Sequence, residues 1–400
     1  MPEDFDEVLP RRNSESFKWR TYPPDVLPLF VADMDFKSPA RVAQALRRYI
    51  DEGVFGYPRG LHSFDASELP SLSDIVVERM DRRYGWRITP EDVVYIPGVV
   101  PGLNLACHAV SSEGGAVLVQ PPVYPPILSA PVNAHQNRQE AELERAADGS
   151  YSINWDTFES AITPETRMFI LCNPHNPVGK MFGPEDLARI AEPCLSKDVV
   201  ICSDEIHSDL VFGGRRHTPI ASIDYEIAQR TITFVGPSKT FNLAGLQCAF
   251  AIIPNADLRR RFQAAREGLT PWINAPGIIA AQAAYRECQP WLDELLLYLE
   301  RNRDFLHHFV GTELPGIRMT IPEATHLAWL DCRDLRLTNP YEFFLNHARV
   351  ALSDGSTFGP GGAGFLRLNF ACPRRTLEDA LERIRRACFA TGPPAPLGTS

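Results

Sequence analysis

The sequence has no stretch that approaches the roughly 18 uninterrupted apolar residues a membrane span requires. Apolar residues are also scarce at the start: Met1-Pro2-Glu3-Asp4-Phe5-Asp6 is acidic, so no secretory signal is expected there. Its nine cysteines include no C-x-x-C pair and several fall inside apolar runs, so they read as reduced, packed thiols of a reducing compartment. The ten histidines show no H-E-x-x-H or Cys/His ligand spacing, so no metal site is expected. No internal repeat is visible. Positive charge is in deficit, 40 basic against 50 acidic residues for a net charge of −10, which argues against nucleic acid and anionic membranes as partners. What remains is a soluble globular composition, 44% hydrophobic and 22% charged, suited to small-molecule chemistry in the cytoplasm.

Four hundred residues exceed one ordinary core, so two domains are expected. From about residue 90 to 255, short apolar runs alternate with helical stretches. Val93-Val94-Tyr95-Ile96, Ala116-Val117-Leu118-Val119, Met168-Phe169-Ile170-Leu171, Val199-Val200-Ile201-Cys202, Thr231-Ile232-Thr233-Phe234 and Ala249-Phe250-Ala251-Ile252-Ile253 read as buried strands. Pro101 to Val110 and Pro184 to Leu195 carry helical periodicity. Such alternation predicts an α/β large domain with a mostly parallel sheet covered on both faces. After Pro290 the pattern changes to a long amphipathic helix (Trp291 to Val310), strand candidates at His326 to Leu330 and Phe365 to Asn369, and a closing helix from Leu377 to Phe389. The expected division is a large domain over 48–290, with 1–47 and 291–400 forming a smaller α+β domain. The tail around Gly392-Pro393-Pro394-Ala395-Pro396 is expected to be disordered.

In open α/β sheets the ligand lies beyond the carboxyl ends of the strands. Three candidate strands end in residues that make chemical sense together. One runs into Asn173-Pro174-His175-Asn176-Pro177-Val178-Gly179, the next into Ser203-Asp204-Glu205-Ile206-His207, and the third into Gly236-Pro237-Ser238-Lys239-Thr240-Phe241-Asn242. Taken singly, an Asn-Pro turn is loop punctuation, a strand-end Asp is a helix cap, and a loop lysine is a solvated charge. Their joint occurrence is what points to a site. Gly359-Pro360-Gly361-Gly362-Ala363-Gly364 invites a phosphate-loop reading, but it lacks the G-x-G-x-x-G placement before a helix and reads as a flexible turn.

These motifs resemble the fold-type I pyridoxal-phosphate (PLP) enzymes of the class I/II aminotransferase superfamily, and within it the cystathionine β-lyase-like C–S lyase branch of the MalY/PatB type. The resemblance covers almost the whole chain. It includes Val31-Ala32-Asp33-Met34-Asp35-Phe36, Gly53-Val54-Phe55-Gly56-Tyr57, Pro97-Gly98-Val99-Val100-Pro101-Gly102, Gln120-Pro121-Pro122-Val123-Tyr124-Pro125-Pro126, Ser238-Lys239-Thr240-Phe241-Asn242 and Phe365-Leu366-Arg367-Leu368-Asn369-Phe370-Ala371-Cys372-Pro373.

The resemblance implies roles that chemistry supports. Lys239 carries pyridoxal 5'-phosphate as a Schiff base and then acts as base toward the substrate Cα proton. Asp204 keeps the pyridinium nitrogen protonated, which makes the ring an electron sink. Asn176 and His207 face the ring's phenolic oxygen, and His207 stands where many aminotransferases place a tyrosine. Tyr124 stacks on the ring, and with Asn176 it also meets the substrate. Arg367 clamps the substrate carboxylate, the task for which a guanidinium fork is best shaped.

The cofactor phosphate falls to the backbone of Val99 and Val100 at a helix start, to Ser238, and to Tyr57 reaching over from a neighbouring subunit, which implies a homodimer. There is a departure from the aminotransferase pattern. A phosphate-binding arginine is often found at the position of Gln247, and a serine at that of Gly236. The missing arginine favours the lyase branch. The expected reaction is β-elimination from cystathionine or another cysteine S-conjugate, giving pyruvate, ammonia and a thiol. An aminotransferase using the same residues is the first alternative, and a PLP-binding regulatory protein is the second.

Overall fold

A computed structural model describes residues 4–58 and 71–390; the tail at Gly392-Pro393-Pro394-Ala395-Pro396 lies outside the described residues. Seven strands build the main sheet: β1 (Val93–Ile96), β2 (Ala116–Val119), β3 (Asn137–Glu140), β4 (Thr166–Cys172), β5 (Val200–Asp204), β6 (Thr231–Val235) and β7 (Ala249–Ile252). Their spatial order is β1-β7-β6-β5-β4-β2-β3. All neighbours run parallel except β7, which is antiparallel to both β1 and β6. The sheet is the mostly parallel one that the alternating pattern predicts.

Strands β2, β5, β6 and β7 are buried along their whole length, as expected when helices cover both faces. Successive side chains of β4 feed opposite cores: Met168 and Ile170 pack with one cluster, and Phe169 and Leu171 with the other. β3 was not foreseen in the sequence. Asn137-Arg138-Gln139-Glu140 is polar because it forms a sheet edge, where one side needs no apolar cover.

Five helices matter for the site. The short α1 (Phe17–Arg20) lies near the N-terminus, α2 (Val99–Ala109) follows β1, and α3 (Pro237–Thr240) follows β6. The long α4 (Gln289–Glu313) and the closing α5 (Arg374–Ala390) flank a second, antiparallel sheet. That sheet comprises β8 (Leu327–Asp331), β9 (Ser353–Asp354) and β10 (Phe365–Asn369), in the order β8-β10-β9. The N-terminal segment is tied to it: Leu27–Pro28 pairs in parallel with Val350–Ala351, and the Asp35 N–H donates to the Ala371 carbonyl.

Helix α2 starts at Val99, two residues earlier than its periodicity suggests. Gly98 caps it in an extended conformation, and Pro101, which has no N–H, sits in the first turn where none is needed. The difference matters, because it places Val99 and Val100 inside the first turn.

Candidate active site

The register of the main sheet brings Cys172, Asp204 and Phe234 side by side at the carboxyl ends of β4, β5 and β6. Just beyond those ends, three consecutive connections carry Asn176, His207 and Lys239 to one cavity of about 410 Å3. The volume is within the range of about 300–1,000 Å3 typical of small-molecule sites. Helix α2 contributes Val99 and Val100 from its first turn, α3 contributes Ser238 beside Lys239, and the loop after β2 contributes Tyr124. The second sheet sends Arg367 in from β10 and Ser353 from β9. Nine of the ten residues singled out in the sequence therefore surround one cavity.

The tenth does not. Tyr57 is 93% exposed and lines a separate groove with Phe55 and Trp272.

One wall of the cavity is main chain. The Phe30 carbonyl accepts from Arg367 Nη2 at 2.8 Å, and the Ala32 carbonyl accepts from Lys239 Nζ at 3.1 Å. His326 Nε2 also faces the Ala32 carbonyl, at 3.2 Å. Val31 and Asp33 offer their carbonyls to Asn369 Nδ2 at 2.6 and 2.7 Å. Asn242, three residues after Lys239, holds the same segment: its Oδ1 accepts from the Met34 N–H and its Nδ2 donates to the Met34 and Phe36 carbonyls. The lysine loop, the N-terminal segment and β10 are thus fastened together around the cavity.

The electrostatics are those of ionisable groups held short of partners. Asp204 is buried, and among the described residues its carboxylate receives one hydrogen bond, from the Ile206 N–H at 3.2 Å. Burial pushes its pKa up to about 6, against the opposing effects of that N–H and of Lys239. Burial and the charge of Arg367 pull Lys239 down to about 8, opposed by Asp33 and Asp204. About a tenth of the lysine is therefore uncharged at pH 7, far more than at its ordinary value. Burial, His326, Lys239 and Arg367 together hold His207 well below the usual imidazole range, so its ring is neutral.

Arg367 is anchored by three bonds: to Asn176 Oδ1 at 3.0 Å, to the Phe30 carbonyl and to Ser353 Oγ at 3.2 Å. Its Nε is buried and, among the described residues, without a hydrogen-bond partner. The guanidinium lies over the Phe358 ring, 5.1 Å from the centroid. This arginine points into the fold from a fully buried strand, as its apolar neighbours suggest.

Several site residues left no readable trace in the sequence. Phe17, Phe30 and Ser353 line the cavity, yet an isolated aromatic or serine carries no spacing signal. Ala32 acts through its carbonyl, which every residue possesses. His326 had a faint signal, as a polar residue immediately before the apolar run Leu327-Ala328-Trp329-Leu330. Gln247 lines the cavity in a left-handed conformation at φ 51°. The glycine-rich stretch adopts positive φ at Gly359, Gly361 and Gly364 (89°, 76° and 80°) and leads into strand β10, so it presents no helix start to an anion.

A mostly parallel sheet with a half-buried lysine and a buried carboxylate at its carboxyl ends defines a class, and the chain belongs to the aminotransferase class I and II family, whose pattern it matches over residues 24–384. Within that family it is 40% identical to the cystathionine beta-lyase PatB of Bacillus subtilis (strain 168), over 96% of this chain and 99% of that protein. It is 33% identical to the cystathionine beta-lyase of Corynebacterium glutamicum, with 95% and 98% covered. Its fold matches the crystal structure of cystalysin from Treponema denticola, which contains a pyridoxal 5'-phosphate cofactor, with a TM-score of 0.92 at 33% identity over 98% of this chain and 100% of that one.

Proposed function

We propose that the protein is a PLP-dependent C–S β-lyase that cleaves cysteine S-conjugates into pyruvate, ammonia and a thiol. The observation that carries this reading is the meeting of a half-buried Lys239 with a buried, under-bonded Asp204 in one cavity with Arg367. Kinship with cystathionine beta-lyases along nearly the whole chain supports the choice of reaction.

The residues present fit pyridoxal phosphate. Asp204, lifted to about 6 by burial, lacks the cationic partner that a protonated ring nitrogen supplies. The N–H groups of Val99 and Val100 open an eleven-residue helix and suit a phosphate, with Ser238 close by. Asn176 and the neutral His207 would face the ring's phenolic oxygen, and Tyr124 would stack on the ring. When bound, the cofactor withdraws electrons from the substrate Cα and so makes its proton removable.

The chain's own residues do the rest. Lys239 Nζ would hold the cofactor and, when free, would take the substrate Cα proton. Its lowered pKa makes that base available near neutral pH. Arg367 receives the substrate carboxylate, and its bonds to Asn176, Phe30 and Ser353 keep the fork from turning. Asp204 would accept the hydrogen bond of the protonated ring nitrogen and keep that proton in place. Two copies would pair so that the exposed Tyr57 of each reaches the phosphate of the other. Residues 48–290 would form the cofactor-bearing large domain, with 1–47 and 291–400 as the small domain.

The test is a visible spectrum of the purified protein before and after L-cystathionine or a simpler S-conjugate is added, with pyruvate and thiol assayed. A cofactor band together with equal yields of pyruvate and thiol is expected. Conversion to the pyridoxamine form with keto acid but no thiol would assign an aminotransferase. Absence of any cofactor band after adding PLP would overturn both readings.

A further inference from the structure

The cavity extends past the groups assigned to cofactor and amino acid to a mouth formed partly by α1, and this part has a distinct chemistry. We propose that it selects S-conjugates whose thiol half is uncharged and apolar, with Phe17 and Phe30 as the residues that determine specificity. The proposal rests on the C–S lyase reading above and names the substrate class for that site.

The first observation is an inverted pair. Phe17 is 71% exposed, while its neighbour Lys18 is 1% exposed. The usual preference is the reverse, since a phenyl ring left in water forgoes its burial energy and a buried ammonium must be matched by partners. Lys18 has those partners: its Nζ donates to Asp35 Oδ2 at 2.9 Å and to the Asp33 carbonyl at 3.2 Å. Inward burial of Lys18 turns Phe17 out onto the cavity mouth. There it meets Phe30 edge-on, with centroids 5.9 Å apart, and Phe30 in turn rests against Tyr22 at 5.3 Å. The ring that the fold leaves uncovered is the one a ligand would cover.

The second observation is the charge inventory. Among the described residues lining the cavity, the charged side chains are Asp204, Lys239 and Arg367, and each has a task on the cofactor or on the amino-acid half. Close to α1, Lys18, Arg11 and Asp35 form one ion-paired cluster. Arg11 bonds Asp33 and Asp35, and Trp19 Nε1 donates to Asp35 as well. Beyond those three tasked groups, the described cavity lining of one subunit offers no countercharge for the second ammonium and carboxylate that cystathionine carries on its thiol half. Such a zwitterion would lose hydration at the mouth without compensation, whereas an alkyl or aryl thiol would gain contact with Phe17, Phe30 and Val31.

The experiment uses the holoenzyme and four substrates: β-chloro-L-alanine, which has no thiol half, S-methyl-L-cysteine, S-benzyl-L-cysteine and L-cystathionine. The expected result is a kcat/KM for S-benzyl-L-cysteine about tenfold or more above that for L-cystathionine, equivalent to about 1.4 kcal/mol. Phe17→Ala should lower the S-benzyl to S-methyl preference about tenfold. Phe17→Arg should raise L-cystathionine relative to S-benzyl-L-cysteine. Pyruvate from β-chloro-L-alanine with L-cystathionine equal to or better than S-benzyl-L-cysteine would overturn the specificity proposal and leave the lyase reading standing. Pyruvate from none of the four would sink the lyase reading itself. Equal loss on all substrates in Phe17→Ala, accompanied by a change in oligomeric state, would reassign Phe17 to a subunit contact and also overturn the proposal.

Discussion

Asp204 and Asp209 are near neighbours in sequence and equally buried, yet the fold treats them in opposite ways. Asp209 receives Arg79 Nη2 at 2.7 Å, Arg83 Nε at 3.1 Å, the Tyr84 hydroxyl at 2.8 Å and Thr240 Oγ1 at 3.0 Å. Burial alone would raise its pKa, but the two arginines outweigh burial and bring it down to about 2. Asp204 has one backbone N–H and sits at about 6. A carboxylate with every lone pair matched is part of the framework, and through Thr240 this one braces the helix that carries Lys239. A carboxylate with its lone pairs unmatched waits for a ligand.

The largest effect should come from breaking the complete side of this comparison. Asp209→Ala leaves the buried Arg79 without its counterion, and a loss of about 3–5 kcal/mol is expected from such a break. Urea unfolding of the cofactor-loaded protein measures it, while turnover per folded molecule should fall less than tenfold. A milder destabilisation than 1 kcal/mol would contradict the framework role.

Asp204→Asn should do the converse. Removing an electrostatic stabiliser of the reacting state costs about 10²–10³ in turnover, or about 2.7–4 kcal/mol. The cofactor-free variant should nevertheless be no less stable than the parent at pH 8, since a costly buried charge has gone. Turnover kept within tenfold would remove Asp204 from the proposed chemistry.

The smallest effect is a pH dependence. The folded pKa of Asp204 lies above its ordinary value of 3.8, so the protonated form is the one the empty fold prefers. Its contribution is complete below about pH 4 and is lost as pH rises through about 6, a change of at most about 3 kcal/mol. A cationic ring nitrogen reverses the preference. The rise in unfolding temperature on adding PLP should therefore be greater at pH 8 than at pH 5, and the difference should shrink in Asp204→Asn. The same rise at both pH values, with and without the substitution, would contradict this account.

The comparison also shows what a sequence can disclose. Strands β2, β4, β5, β6 and β7 were legible because a strand buried on both faces must be apolar throughout. The polar edge β3 was not, since nothing in Asn137-Arg138-Gln139-Glu140 distinguishes it from a loop. Lys239, Asp204 and Arg367 stood out as charged residues at or within apolar strands, where ordinary packing does not call for them. Asp209 did not, because its partners Arg79, Arg83 and Tyr84 lie more than a hundred residues away and only the fold unites them. The mouth was illegible for a similar reason: the outward turn of Phe17 follows from the inward burial of Lys18, which depends on Asp35.

The wall of carbonyls from Phe30 to Asp33 has a consequence for how such an enzyme changes over time. Arg367, Asn369 and Lys239 all read this stretch through its peptide oxygens, which are the same whichever residue carries them. The reactive groups therefore keep their alignment while the side chains of Phe30 and Val31 are exchanged. Selection can retune which thiol departs without disturbing the step that releases it, and a new substrate range lies within a few substitutions of the present one.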